Sequence, residues 1–95
     1  MDFRLIWSPE AVEDLESIVD YISRDSEFYA KAIISKIINE VKIIPHYPQI
    51  GRKVPEINDE VIRELIVYNY RVVYHIKKNI IQIVSIIHSR SDIKF

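Results

Sequence analysis

Ninety-five residues suit one domain, 1–95, with one core, enough to bury roughly two thirds of the surface the unfolded chain exposes. The chain has no cysteine, which excludes disulfide frameworks and thiolate metal sites and fits a reducing cytoplasm. A net charge of −1 argues against a generally basic nucleic-acid binder, and no stretch reads as a signal peptide or approaches the ~20 apolar residues of a membrane span.

The average charge conceals a segregation. Between Ser8 and Arg24 five acidic residues oppose one arginine, for a net −4. Between Gly51 and Phe95 eight basic residues oppose five acidic ones, for a net +3. An acidic first half and a basic second half permit a locally positive face on an acidic molecule.

In chain order, Phe3 to Trp7 alternates weakly and predicts a first strand. Ser8-Pro9-Glu10 then starts a helix: the Ser hydroxyl accepts from an early N–H, Pro loses no needed donor at the first position, and Glu suits the positive end of the dipole. Ala11, Leu15, Ile18 and Ile22 form one apolar stripe, which Val12 and Val19 widen. Arg24-Asp25-Ser26 breaks the pattern, and Asp25 or Ser26 caps a second helix. Its stripe is Ala30, Ile34, Ile37, Val41 and Ile44, with Ile33 and Ile38 alongside. The short connection predicts an antiparallel helical hairpin lying on one face of a sheet. Pro45 and Pro48 end it.

Residues 46–60 read as an irregular connection in which Gly51 supplies a positive φ and presents Arg52 outward. Three runs rich in Val, Ile and Tyr follow, broken at Asn69 and at Lys77-Lys78-Asn79, which predicts an antiparallel meander. The expected fold is α+β, in the order β-α-α-β-β-β. A tight turn at Lys78-Asn79 pairs Lys77 with Ile80, Tyr74 with Ile83, Val72 with Ser85 and Tyr70 with Ile87 on the buried face. The open face then holds Arg71, Val73, His75 and Lys77 beside Gln82, Val84, Ile86 and His88. Arg71 and His88 share one end of it, within reach of one phosphate-sized group, with Arg90 just beyond. Arg63 falls on the core side if Tyr68-Asn69 is a two-residue turn. It falls on the open side if the turn is Val67 to Asn69, and the cost of burying an unpaired guanidinium favours the second, or a bulge.

Several of these residues have plainer readings. Arg71 has a cross-strand partner in Glu64, His88 suits a strand end bonded to backbone, and Arg52 suits a solvated turn. His46 and His75 read as structural or exposed, and Trp7, Tyr21, Tyr70 and Tyr74 as core or rim packing. No His/Asp/Glu spacing suggests a metal, and no cofactor is expected.

Trp7, Ala11, Asp14, Leu15, Ile18 and Tyr21-Ile22, then Pro48 with Gly51-Arg52-Lys53-Val54-Pro55-Glu56, Ile62-Arg63-Glu64-Leu65, Tyr70-Arg71-Val72-Val73-Tyr74 and Ile87-His88-Ser89-Arg90 together resemble the RelE/ParE superfamily of toxins. These belong to type II toxin–antitoxin, or plasmid-stabilisation, modules. The resemblance implies two alternative activities. RelE-like members cleave messenger RNA on the ribosome without a metal. In that case Arg63 and Arg71 would bind the scissile phosphate, Arg52 would assist, and His88 would move protons near neutral pH. ParE-like members poison DNA gyrase, and there Arg52, Arg63, Arg71 and Arg90 are the binding candidates. The near-neutral pI, the missing Tyr after Ser89 and the Gly-Arg-x-Val-Pro-Glu loop look more like ParE. A third reading is an inactive binding module of the same fold. Every version implies a cognate antitoxin, with gyrase or the ribosome and its mRNA as target, a hetero-oligomer with the antitoxin, and no membrane.

Overall fold

The computed structural model describes residues 3–90; Met1 and Asp2, Ser91 at the end of the meander, and Asp92 and Lys94 of the basic half lie outside the described residues. Strand β1 (Arg4–Trp7) leads into helices α1 (Pro9–Ser23) and α2 (Glu27–Val41), followed by β2 (Arg52–Lys53), β3 (Ile62–Val67), β4 (Tyr70–Lys77) and β5 (Ile80–His88). The sheet runs β1-β5-β4-β3-β2, with β1 parallel to β5 and every other pair antiparallel. The fold is α+β, and β2 adds a short edge strand where a turn was expected.

Local chemistry sets the helix starts. The Ser8 hydroxyl accepts from the Ala11 N–H at 3.0 Å with Pro at the first helical position, and the Ser26 hydroxyl accepts from Tyr29 at 3.0 Å. Of the two capping candidates, Ser26 is therefore the one used. Both helices cover the face of the sheet that carries Val67, Val72, Tyr74, Ile81, Ile83 and Ile86. The buried stripe of α2 is Ala30, Ile33, Ile37 and Val41, continued by Ile44, so Ile33 takes the place expected for Ile34. On α1, Val12 stays exposed and Tyr21, expected to pack, stands in solvent.

One irregularity decides the layout of the sheet. From Lys77↔Ile80 to Tyr74↔Ile83 the register runs as expected, but a β-bulge then shifts it, giving Val73↔Ser85, Val72↔Ile86, Arg71↔Ile87 and Tyr70↔His88. The unopposed residue is Val84. Because side chains alternate with period two, a one-residue slip exchanges the faces of everything beyond it. Ile86 thus enters the core, and His88 joins Tyr70 on the helix-covered side. The exposed backbone groups of the bulge are met by α1 and its cap: the Ser8 hydroxyl donates to the Val84 carbonyl at 2.8 Å, and the Asp14 carboxylate accepts from the Ile86 N–H at 2.9 Å.

Candidate functional site

The two arginines expected to converge on the open face are separated. Val67 pairs with Tyr70 across a two-residue turn in which Tyr68 adopts φ 53°, so Arg63 pairs with Tyr74 and shares its face, whereas Arg71 pairs with Ile66 and Ile87 on the other. The expectation of a longer turn rested on the cost of a buried, unpaired guanidinium, and Arg63 avoids that cost by being paired. Its Nη1 donates to the Gly51 carbonyl at 2.8 Å, its Nε to the Glu60 carbonyl at 2.9 Å and its Nη2 to the Glu60 carboxylate at 2.8 Å.

On the open face the dominant feature is a chain of alternating charges. Arg71 Nε donates to Glu64 Oε1 at 2.6 Å, and its Nη1 and Nη2 grip the Glu56 carboxylate at 2.8 and 2.7 Å. Glu64 Oε2 accepts from Arg52 Nε at 2.6 Å. The Glu64 side chain has no solvent exposure, that of Arg71 6%, while that of Arg52 is 63% exposed. Glu56 foremost, and then Glu64, raise the Arg71 pKa above the usual guanidinium value against the opposing effect of burial. Two arginines and two glutamates leave this cluster close to neutral. The cross-strand pairing of Arg71 with Glu64 was legible in sequence. The bidentate role of Glu56 was not, since it comes from a loop with no periodicity.

Gly51 shows why the loop lies where it does. No glycine has positive φ, so the expected left-handed turn is absent; instead a Cβ on Gly51 would stand 2.5 Å from the Glu64 carbonyl oxygen and 2.8 Å from the Tyr74 hydroxyl. The glycine permits close approach of two backbones. Tyr74, fully buried, anchors the same loop: its hydroxyl accepts from the Gly51 N–H at 2.9 Å and donates to the Pro48 carbonyl at 2.6 Å.

His88 stands with its ring edge-on to Tyr70 at 6.0 Å between centroids, and its Nδ1 accepts from the Arg90 N–H at 3.2 Å. It occupies a strand end, exposed, on the face opposite Arg71. The bulge that moved it from the expected face left no trace in sequence periodicity. Arg90 is exposed just beyond it.

The fold and its sequence have clear relatives. The family model described as "ParE toxin of type II toxin-antitoxin system, parDE" matches residues 5–93. Among solved structures, a chain of the chromosomal ParDE toxin–antitoxin system from P. aeruginosa superposes with a TM-score of 0.75 at 24% identity, covering 90% of this chain and 95% of that one. The E. coli toxin RelE, as a free-state mutant, gives 0.67 at 15% identity, covering 95% and 86%. The YoeB dimer from Staphylococcus aureus gives 0.60 at 25% identity, covering 90% and 94%. No curated protein sequence matches it. Since the family model spans nearly the whole chain, this protein belongs to the ParE toxin family and is the toxin component of a type II toxin–antitoxin module, a family that implies an antitoxin partner.

Proposed function

We propose that this toxin, acting as one cytoplasmic domain, inhibits DNA gyrase in the manner known for ParE-like proteins, and that a cognate antitoxin neutralises it in a hetero-oligomer. The observation that carries the reading is the separation of the groups a nuclease would need. Metal-independent cleavage of RNA requires cations and a proton carrier around one phosphate. Arg71 is spent on Glu56 and Glu64, Arg63 lies on the other face bonded to Gly51 and Glu60, and His88 stands apart at a strand end. A gyrase inhibitor needs a binding surface and no such constellation. Arg52 and Arg90, both exposed, are the arginines this reading assigns to target contact. Among the described residues no helix is long and apolar enough to cross a membrane.

The test compares purified toxin in two assays. Inhibition of gyrase supercoiling, relieved by the co-encoded antitoxin and accompanied by intact mRNA in a translation extract, is the expected result. Loss of mRNA, abolished by Arg71→Ala, would restore the RelE-like reading with Arg63, Arg71 and His88 as its site. Neither effect, with tight antitoxin binding, would make the chain an inactive binding module.

A further inference from the structure

The uncompensated positive charge of the sheet is not where its arginines cluster. On β2, β3 and β4, Arg52, Lys53, Arg63 and Arg71 are each held by a carboxylate of the chain. Among the described residues Arg4, Lys77 and Lys78 have neither an ion pair nor a side-chain hydrogen bond, and all three are exposed. The register brings them together. Arg4 pairs with Ile80 and Ile80 with Lys77, Lys78 lies in the turn between β4 and β5, and the Arg4 N–H donates to the Asn79 carbonyl at 2.8 Å. Phe3, Leu5 and Ile76 pack against the core, so the alternation of side chains puts Arg4 and Lys77 on the opposite, open face. With β5 between them their Cα atoms are about 10 Å apart, a gap that two long side chains span. The next row holds Ile62, His75, Gln82 and Ile6, without a carboxylate. Asp59 and Glu60, just before β3, are turned to the Val61 N–H and to Lys53 and Arg63, two cations that balance them.

We propose that Arg4, Lys77 and Lys78 form a contact for the phosphate backbone of duplex DNA, made without regard to base sequence. Cations gathered at one end of a sheet neutralise neighbouring phosphates and release their counterions. The acidic residues of α1 do not oppose this approach: Glu10, Glu13, Glu16 and Asp20 belong to a helix that covers the other face and starts beyond the far end of β1. A duplex is favoured over a single strand, whose bases need rings to stack on. The two rows hold a single ring, His75, whereas Tyr21, Tyr29 and Tyr68 lie around Tyr70 at the other end of β4. A lipid surface is disfavoured because Ile6, Ile62 and Ile80, the apolar side chains of these rows, are already part-buried. The contact goes beyond gyrase inhibition and is measured on toxin and DNA alone, so either can fail while the other holds.

Fluorescence anisotropy of the full chain with a labelled duplex of about 20 base pairs tests it, and binding should weaken with salt along a log–log slope of about −2 to −3, about −0.9 for each phosphate neutralised. The triple variant Arg4→Gln, Lys77→Gln, Lys78→Gln should bind about tenfold more weakly or worse. Arg24→Gln, Lys31→Gln, Lys42→Gln removes equal charge from exposed positions of the helical hairpin. It should change binding less than about twofold at an ionic strength of about 0.1 M, where charges more than about 10 Å away are screened. In the wild type the duplex should shift the Lys78 and Asn79 amide NMR signals, a readout that needs no variant to fold. The proposal is overturned if the two triple variants lose affinity equally, or if those amide signals do not move. It is also overturned if single-stranded DNA of the same length or phosphatidylserine vesicles bind the toxin more tightly than the duplex does.

Discussion

Glu64 and Arg71 meet diagonally across β3 and β4 at 2.6 Å, the carboxylate fully buried and the guanidinium nearly so. Burying two charges is costly, and the pair persists because every strong donor and acceptor around it is satisfied, with no unpaired buried side-chain N or O among the described residues. The arginine whose position in the sequence suggests phosphate binding is held in this structure by two carboxylates of its own chain.

Removing Glu64 should therefore cost much more than removing Glu56. Glu64→Gln leaves two guanidiniums facing a neutral amide in a buried position, and about 3–5 kcal/mol of stability is expected to be lost. Glu56 sits at the rim with its side chain 26% exposed, where water replaces part of the lost contact, and Glu56→Gln should cost about 1.5–3 kcal/mol. Urea unfolding of both variants checks the order. Equal or inverted losses would mean that the chain of charges is not organised around Glu64.

Tyr74 links the loop before β2 to the core, and its hydroxyl is the only feature that Tyr74→Phe removes. The change leaves the Gly51 N–H and the Pro48 carbonyl without their partner, a loss of about 1–3 kcal/mol. Burial raises the Tyr74 pKa, opposed by the Gly51 N–H and by the positive charge of Arg63. The folded state thus keeps its proton above the pH at which the unfolded phenol ionises. The stabilisation is complete below about pH 10 and is lost as pH rises through the raised folded value. Tyr70, raised by burial and by the nearby Tyr21 and Tyr29, acts in the same direction. Urea midpoints between pH 8 and 11 should fall less steeply in Tyr74→Phe than in the wild type.

Elements with a repeating pattern were readable from sequence, and single-residue irregularities were not. Ser8-Pro9 and Ser26 marked the helix starts because capping chemistry is local. Lys78-Asn79 fixed the first half of the β4 and β5 pairing for the same reason. The bulge at Val84 is stabilised by Ser8 and Asp14, seventy or more residues away in sequence, so no local signal announces it. It alone separates His88 from Arg71. Arg63 was misplaced because its partners, a glycine carbonyl and a loop glutamate, lie in a segment without periodicity.

Gly51→Ala should destabilise through contact with backbone, which cannot swing aside as a side-chain end does. The added methyl meets the Glu64 carbonyl at 2.5 Å and its carbon at 2.9 Å. Relief requires β2 to move away from β3, at about 1–3 kcal/mol for overpacking. Loss of amide-exchange protection at Val54, whose N–H donates to the Ile62 carbonyl, would report the movement; unchanged protection would contradict it.

Asp14 offers a test of what holds the bulge. Its carboxylate reaches from α1 to the Ile86 N–H, one of the backbone donors that the irregular register leaves for a side chain to satisfy. Asp14→Ala removes a charge-assisted bond and should cost about 1.5–3 kcal/mol, whereas Asp14→Asn retains an acceptor oxygen and should cost less. If the bulge depends on this bond, Asp14→Ala will also speed amide exchange at Ile86 while leaving Ile81, in the regular half of β5, protected. Uniform loss of protection along β5 would show instead that Asp14 stabilises the strand as a whole.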